Sequence, residues 1–270
     1  MIKEIIDKLV ALLASCSESE LWQNPQTEAR DGYIMLNFKT EIPAMQEVVT
    51  RAVDPDGGGV QDMTLFCFDS YGLFISTVKA GVTVQKPGPG EMEGTFKAEV
   101  PENTRTIHFL ANQNMDEFKE DSFRNKSESE VMAVLEGSSG RMIYWGRFAC
   151  DAGNDSNIAE QMATSGNSVK LIRNHARISV DNPDNNGHIV ITGFAVCNTN
   201  AFGTVAPHHP KKGFDFTWPS SDDPFVTLPV NDAKMSDITD VTSSMNQYVF
   251  ECENSADAPV SVILRGHLPD

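Results

Sequence analysis

Apolar residues along this chain recur mostly at every second position, in runs of five to eight residues broken by Gly, Pro, Asn and Ser. Residues 33–39 alternate, with Ile34, Leu36 and Phe38 on one face, which is the period of a half-buried strand. Over residues 63–68, Met63, Leu65 and Cys67 alternate with Thr64, Phe66 and Phe68, so both faces are apolar and a central strand is predicted. Ser70-Tyr71-Gly72 then turns the chain into residues 73–78, a hairpin signal. Phe96, Ala98 and Val100 form another face, and residues 106–111 and 142–148 read as further strands. One helix is signalled: Ser127-Glu128-Ser129-Glu130 is a capping box, with Val131, Val134 and Leu135 behind it and Gly137 as its stop.

A Gly/Asn/Ser-rich stretch, residues 153–168, divides the chain, and the boundary falls near Asn167. Beyond it, residues 169–180 read as one long strand and residues 188–197 as another. Residues 202–229 read as a long loop carrying Pro and aromatics. Residues 248–252 and 260–264 read as a hairpin around Asn254-Ser255-Ala256-Asp257. Many strands with a single well-signalled helix predict an all-β chain of two sandwich-like domains, residues 52–166 and 167–270, with one short helix in the first. The 270 residues suffice for two such cores.

Charge narrows the partners. A net charge of −17 argues against nucleic acid and anionic lipid headgroups, whose phosphates need clustered Lys and Arg. No apolar run reaches the roughly 18 residues of a membrane-spanning helix. Cys16, Cys67, Cys150, Cys197 and Cys252 show no CxxC spacing, so neither a zinc site nor a disulfide framework is signalled; with Cys16 set aside, buried free thiols are expected for the other four.

The N-terminus has the form of an address. Leu9-Val10-Ala11-Leu12-Leu13-Ala14-Ser15-Cys16 is a short apolar run ending in small residues and a cysteine. It resembles a bacterial lipoprotein signal (residues 1–16) whose lipobox is Leu13-Ala14-Ser15-Cys16, with Cys16 as the acylated residue. Ser17-Glu18-Ser19-Glu20 follows and resembles the surface-export signal of Bacteroidota lipoproteins. Glu4 and Asp7 depart from a purely basic leader. The alternative is an amphipathic helix with Ile5, Ile6, Leu9 and Leu13 on one face.

Candidate chemistry is sparse. His208-His209 are adjacent on an extended stretch and point to opposite sides, a poor arrangement for one metal. Asp222-Asp223-Pro224 and Asp54-Pro55-Asp56-Gly57 do not fit a calcium loop and read as turns. There is no Gly-x-Ser-x-Gly, His-Glu-x-x-His or phosphate-cradling glycine loop, so no catalytic residue, cofactor or metal is assigned. An extracellular hydrolase would need converging carboxylates in a cleft, which sequence alone does not display.

Several stretches together resemble the Bacteroidales fimbrillin family, the subunits of type V pili. They are Arg51-Ala52 ahead of the acidic, Gly-rich Val53-Asp54-Pro55-Asp56-Gly57-Gly58-Gly59, the run from Met63 through Phe74, and the run from Val169 to Val180. Ile191-Thr192-Gly193-Phe194-Ala195-Val196 and the run from Asn254 to Leu264 complete the set.

The resemblance implies a lipoprotein with two transthyretin-like β-sandwich domains in tandem. It implies that an arginine-specific protease cuts between Arg51 and Ala52, releasing a prosegment, residues 17–51 with the lipidated Cys16, that contains the strand of Ile34, Leu36 and Phe38. Arg30 is the competing site, but a cut there keeps that strand. A sandwich robbed of a strand exposes unpaired backbone groups, which a neighbouring subunit's strand would satisfy.

The implied role is structural and adhesive, not enzymatic. The implied locations are the outer membrane through the lipid, then the extracellular fimbrium. The implied partners are other pilus subunits, the protease and a host or bacterial surface ligand. The alternative function is a monomeric surface lipoprotein that binds glycan or protein. The chain stops at Arg265-Gly266-His267-Leu268-Pro269-Asp270, where family members usually carry further donor strands. A shortened second domain is therefore also expected.

Overall fold

The computed structural model describes residues 29–41, 60–85, 94–115, 118–138, 142–180, 189–209, 224–235, 237–241 and 246–268. The chain is all-β with two short α-helices among these residues. Its first part comprises β1 (Tyr33–Glu41), β2 (Met63–Phe68), β3 (Phe74–Lys79), β4 (Gly81–Gln85), β5 (Gly94–Pro101) and β6 (Thr106–Ala111). Helix α1 (Glu128–Met132), β7 (Glu136–Ser138), β8 (Tyr144–Ala149), helix α2 (Ile158–Thr164), β9 (Ser168–Lys170) and β10 (Ile172–Arg173) follow.

Two sheets face each other. One is four-stranded in the order β4-β5-β1-β9; the other is five-stranded in the order β10-β8-β6-β2-β3. Between them lie Leu36, Phe38, Leu65, Phe96, Phe109 and Tyr144, all buried. The five-stranded sheet is covered on its outer face as well. There Phe66, Phe68, Leu110 and Trp145 pack with Val131 and Met132 of α1 and with Val205, Ala206, Phe225 and Val226 from far along the chain. Cover on both faces is why all six residues of β2 are buried, the outcome expected from its doubly apolar pattern. The Ser127 box also forms as read: Ser127 Oγ accepts from Glu130 N and Glu130 Oε2 accepts from Ser127 N.

Helix α2 was not legible as a helix. Its stretch reads as Gly/Asn/Ser-rich, yet Asn157 caps it, Oδ1 accepting from Glu160 N at 3.0 Å, and Glu160 returns a bond to Asn157 N. Ile158, Ala159 and Met162 then bury against the main core. Gly166 and Asn167 take positive φ angles of 78° and 53°, a left-handed pair that turns the chain out of α2 and into β9.

The expected long strand over residues 169–180 is broken into three. β9 joins the four-stranded sheet, β10 joins the five-stranded sheet, and β11 (His175–Ser179) pairs elsewhere. Such a stretch is extended throughout, but it steps from one layer to the next, and period-two patterning cannot register that step. Asn167, near which the sequence reading divides the chain, thus precedes two strands that belong to the first sandwich.

The second part holds β11, β12 (Val190–Cys197), β13 (Phe202–Thr204), β14 (Thr239–Asp240), β15 (Asn246–Phe250) and β16 (Ser261–His267). β11 pairs with β15, and β14-β12-β16 form a three-stranded sheet. The expected hairpin of residues 248–252 with 260–264 does not form, because β15 and β16 belong to different sheets. Asn231 helps to hold the connection: its side chain bonds the carbonyls of Asn198 and Ala258 and the Ser255 N–H. A small core of Val180, Phe194 and Val196 lies between the sheets. β13 pairs with β7, so the long loop begins by adding a strand beside the first part.

Candidate functional site

β1 is an interior strand. It pairs antiparallel with β5 from Tyr33↔Pro101 to Lys39↔Thr95, and parallel with β9 from Lys39↔Ser168 to Glu41↔Lys170. Lys39 N donates to Asn167 O at 2.7 Å and Leu171 N donates to Glu41 O at 2.7 Å, which fixes the strand's far end. At its near end Arg30 Nε donates to Glu99 Oε2 at 2.7 Å, and its guanidinium sits 4.2 Å from the Tyr33 ring centroid.

Ile34, Leu36 and Phe38 face the core, as their alternation predicts, and each is buried. Phe38 lies 5.5 Å from the Phe96 ring and 5.0 Å from the Phe109 ring, stacked on the first and edge-on to the second. α2 packs against the same strand. At roughly 1.5–3 kcal/mol per fully buried apolar side chain, these three contribute about 5–9 kcal/mol. That is comparable to the whole net stability of a typical domain, about 5–15 kcal/mol. The slot of β1 therefore cannot stand empty at neutral cost.

What emptying the slot leaves follows from the sheet order. β9 has no other sheet partner among the described residues, so loss of β1 separates it from β5. A gap two strand spacings wide, about 9–10 Å, would open with unpaired backbone groups on both sides. One position within β1 is already imperfect: Thr40 is fully buried, yet its hydroxyl has no hydrogen-bond partner among the described residues.

The other predicted site residues, Cys16, Arg51 and Ala52, lie outside the described residues. His208 is more constrained than a solvated loop residue: its Nδ1 lies 2.5 Å from Val226 O, and its N donates to Glu251 Oε2. Cys67 and Cys197 are buried free thiols, while Cys150 and Cys252 are partly buried. Burial pushes the Cys67 thiol up to about 12.

A charged cluster that sequence reasoning missed lies on the outer face of the five-stranded sheet. Glu128 Oε2 lies 2.7 Å from His108 Nε2 and 2.6 Å from Arg147 Nε, and Glu128 Oε1 accepts from Arg147 Nη2 at 3.0 Å. Trp145 Nε1 donates to His108 Nδ1 at 3.0 Å. An indole nitrogen can only donate, so His108 Nδ1 accepts and its proton sits on Nε2, facing Glu128. His108 is therefore the neutral tautomer, in accord with the burial that lowers its pKa. Burial alone would raise the Glu128 carboxyl, but bonds from His108 and Arg147 hold it down at about 2. The sequence shows Glu128 only as part of a helix cap; its partners come from other strands and leave no local signal.

No family model matches the chain, and no curated protein matches it. Solved structures do resemble it. The tip fimbrial protein Mfa3 from Porphyromonas gingivalis with C-terminal truncation aligns at TM-score 0.47 and 14% identity, over 83% of this chain and 71% of that one. A fimbrial assembly protein from Parabacteroides distasonis aligns at 0.43 and 13% identity, over 87% and 82%. A proposed cell adhesion protein from Bacteroides eggerthii aligns at 0.45 and 11% identity, over 86% and 74%.

Proposed function

We propose that this chain is a structural and adhesive subunit of a cell-surface pilus, and that β1 is the removable part of its first sandwich. The precursor is exported as a lipoprotein acylated on Cys16. An arginine-specific protease cuts between Arg51 and Ala52, and residues 16–51 leave with the lipid and with β1. A strand from the next subunit then occupies the slot between β5 and β9. The same cut frees the molecule from the outer membrane and creates its polymerisation site, so the subunit passes into the extracellular fimbrium. No catalytic role is assigned.

The observation that carries this reading is the position of β1. It is a strand with a buried apolar face and neighbours on both sides, and its departure exposes apolar surface and two sheet edges together. A strand at the periphery could be trimmed without such a consequence. The sequence resemblance adds the basic residue that follows the strand.

Substituting Arg51→Ala tests the proposal in the full-length chain on its native surface. The expected product is an acylated, unpolymerised precursor whose N-terminal residue is the lipidated Cys16. Wild-type chain should begin at Ala52 and run as a ladder of polymers in unheated detergent gels. Normal ladders from the Arg51→Ala variant would refute the mechanism.

A further inference from the structure

A cleft of ≈ 850 Å³ opens at the end of the five-stranded sheet where β2 and β8 finish and β6 begins. Its size falls within the range of small-molecule pockets, roughly 300–1,000 Å³. The 69–72 turn forms one wall, the loop from Cys150 to Asp155 forms another, and Glu128 with Arg147 lines it from the buried side.

Tyr71 stands on the first wall and is 86% exposed. The backbone of the turn that carries it is fixed by hydrogen bonds. Asp69 Oδ1 accepts from Tyr71 N at 2.8 Å and from Leu73 N at 3.0 Å, and Gly72, at φ 72°, donates its N–H to Asp69 O. A large ring on a preorganised turn offers contact area at little entropic cost. The opposite wall is likewise fixed: Asp151 N donates to Gln161 Oε1, Asn154 N to Asp151 O, and Ser156 N to Asn154 Oδ1.

The polar groups define the ligand. Glu128 is pinned by Arg147, and its Oε1 lies on the side of Gly72, 3.6 Å from where a Cβ there would stand. Residues bearing carboxylates, an amide and guanidinium groups line the same cleft as the aromatic Tyr71. That combination suits a sugar ring, whose hydroxyls both donate and accept while one face of C–H groups stacks on an aromatic. The lining carries Asp69, Glu128, Asp151 and Asp155 against Arg105 and Arg147, so it is net negative and repels acidic sugars. Among the described residues, no cluster of three or more His, Cys, Asp or Glu could hold a metal ion, so the acidic lining is not a cation cage.

We infer that this cleft binds the ring of a neutral saccharide, stacked on Tyr71 and hydrogen-bonded by Glu128 and the Asp151–Asp155 wall. The site goes beyond strand exchange: no residue of β1 lines it, so it stands or falls separately from polymerisation. Saturation-transfer NMR on the full chain tests it. The probes are methyl α-D-mannopyranoside, methyl β-D-galactopyranoside and N-acetyl-D-glucosamine, with N-acetylneuraminic acid as the anionic comparison. At least one neutral probe should receive saturation, and N-acetylneuraminic acid should not. Tyr71→Ala should weaken that binding by at least roughly tenfold, equivalent to about 1.4 kcal/mol, while Tyr71→Phe retains it. The ring is solvent-facing, so thermal melts of both variants should match the parent. Silence from all three neutral probes, undiminished binding by Tyr71→Ala, or equal binding of the acidic sugar would overturn the inference.

Discussion

Replacing Phe38 by alanine probes how much of the first sandwich rests on β1. The ring is fully buried and meets both sheets, stacking on Phe96 of its own sheet and abutting Phe109 of the facing one. Truncations of this kind cost about 3–5 kcal/mol, the lost transfer free energy plus the cavity left behind. With a urea dependence of about 2–3 kcal/mol per molar, the unfolding midpoint should fall by roughly 1–2.5 M. Trp145 is buried in the facing sheet and reports on this sandwich by fluorescence once Trp22 and Trp218 are changed to Phe. Tyr33→Ala serves as the comparison, since Tyr33 is partly exposed at the strand's start and should cost less than about 1 kcal/mol. If Phe38→Ala shifts the midpoint no further than Tyr33→Ala does, β1 is not a structural part of the core, and the case for its functional removal collapses.

Two further outcomes follow from named groups. Thr40→Val keeps the shape of the side chain and removes the unpartnered buried hydroxyl, so stability should rise by about 1 kcal/mol in the same urea assay; a lowered midpoint would mean the hydroxyl is satisfied. The depressed Glu128 pKa stabilises the fold fully above the ordinary value of 4.5, and that contribution drains away as pH falls toward 2. Glu128→Gln should therefore lower the midpoint at neutral pH and flatten its decline below about pH 4.5; an unchanged acid limb would show that Glu128 does not govern it.

The strands of the first sandwich were legible wherever one chemistry filled a whole face. β1 announced itself because Ile34, Leu36 and Phe38 recur at every second position, and β2 because both of its faces are apolar. The cap of α1 was legible for a local reason, its two partners lying three residues apart. α2 carries the same device with Asn157 in place of serine, but glycines and polar residues around it hid a seven-residue helix whose stability comes from burying Ile158 and Met162. Pairing was not legible. Neither the split of β9, β10 and β11 among three sheets nor the separation of β15 from β16 leaves a trace in periodicity, because each depends on which distant strand arrives alongside. The cleft was hidden for the same reason, since Tyr71, Glu128 and Asp155 meet only through the sheet that joins their loops.

The slot of β1 has neighbours that run in opposite senses, antiparallel β5 along most of its length and parallel β9 at one end. A replacement entering backwards would trade the long antiparallel ladder for a less favourable parallel one. If subunits exchange strands as proposed, each acceptor would favour its donor in one orientation, and a chain of such joints would be head-to-tail throughout. Such a fibre would have two unlike ends, which would let a growing tip and a base recruit different caps without any additional recognition element.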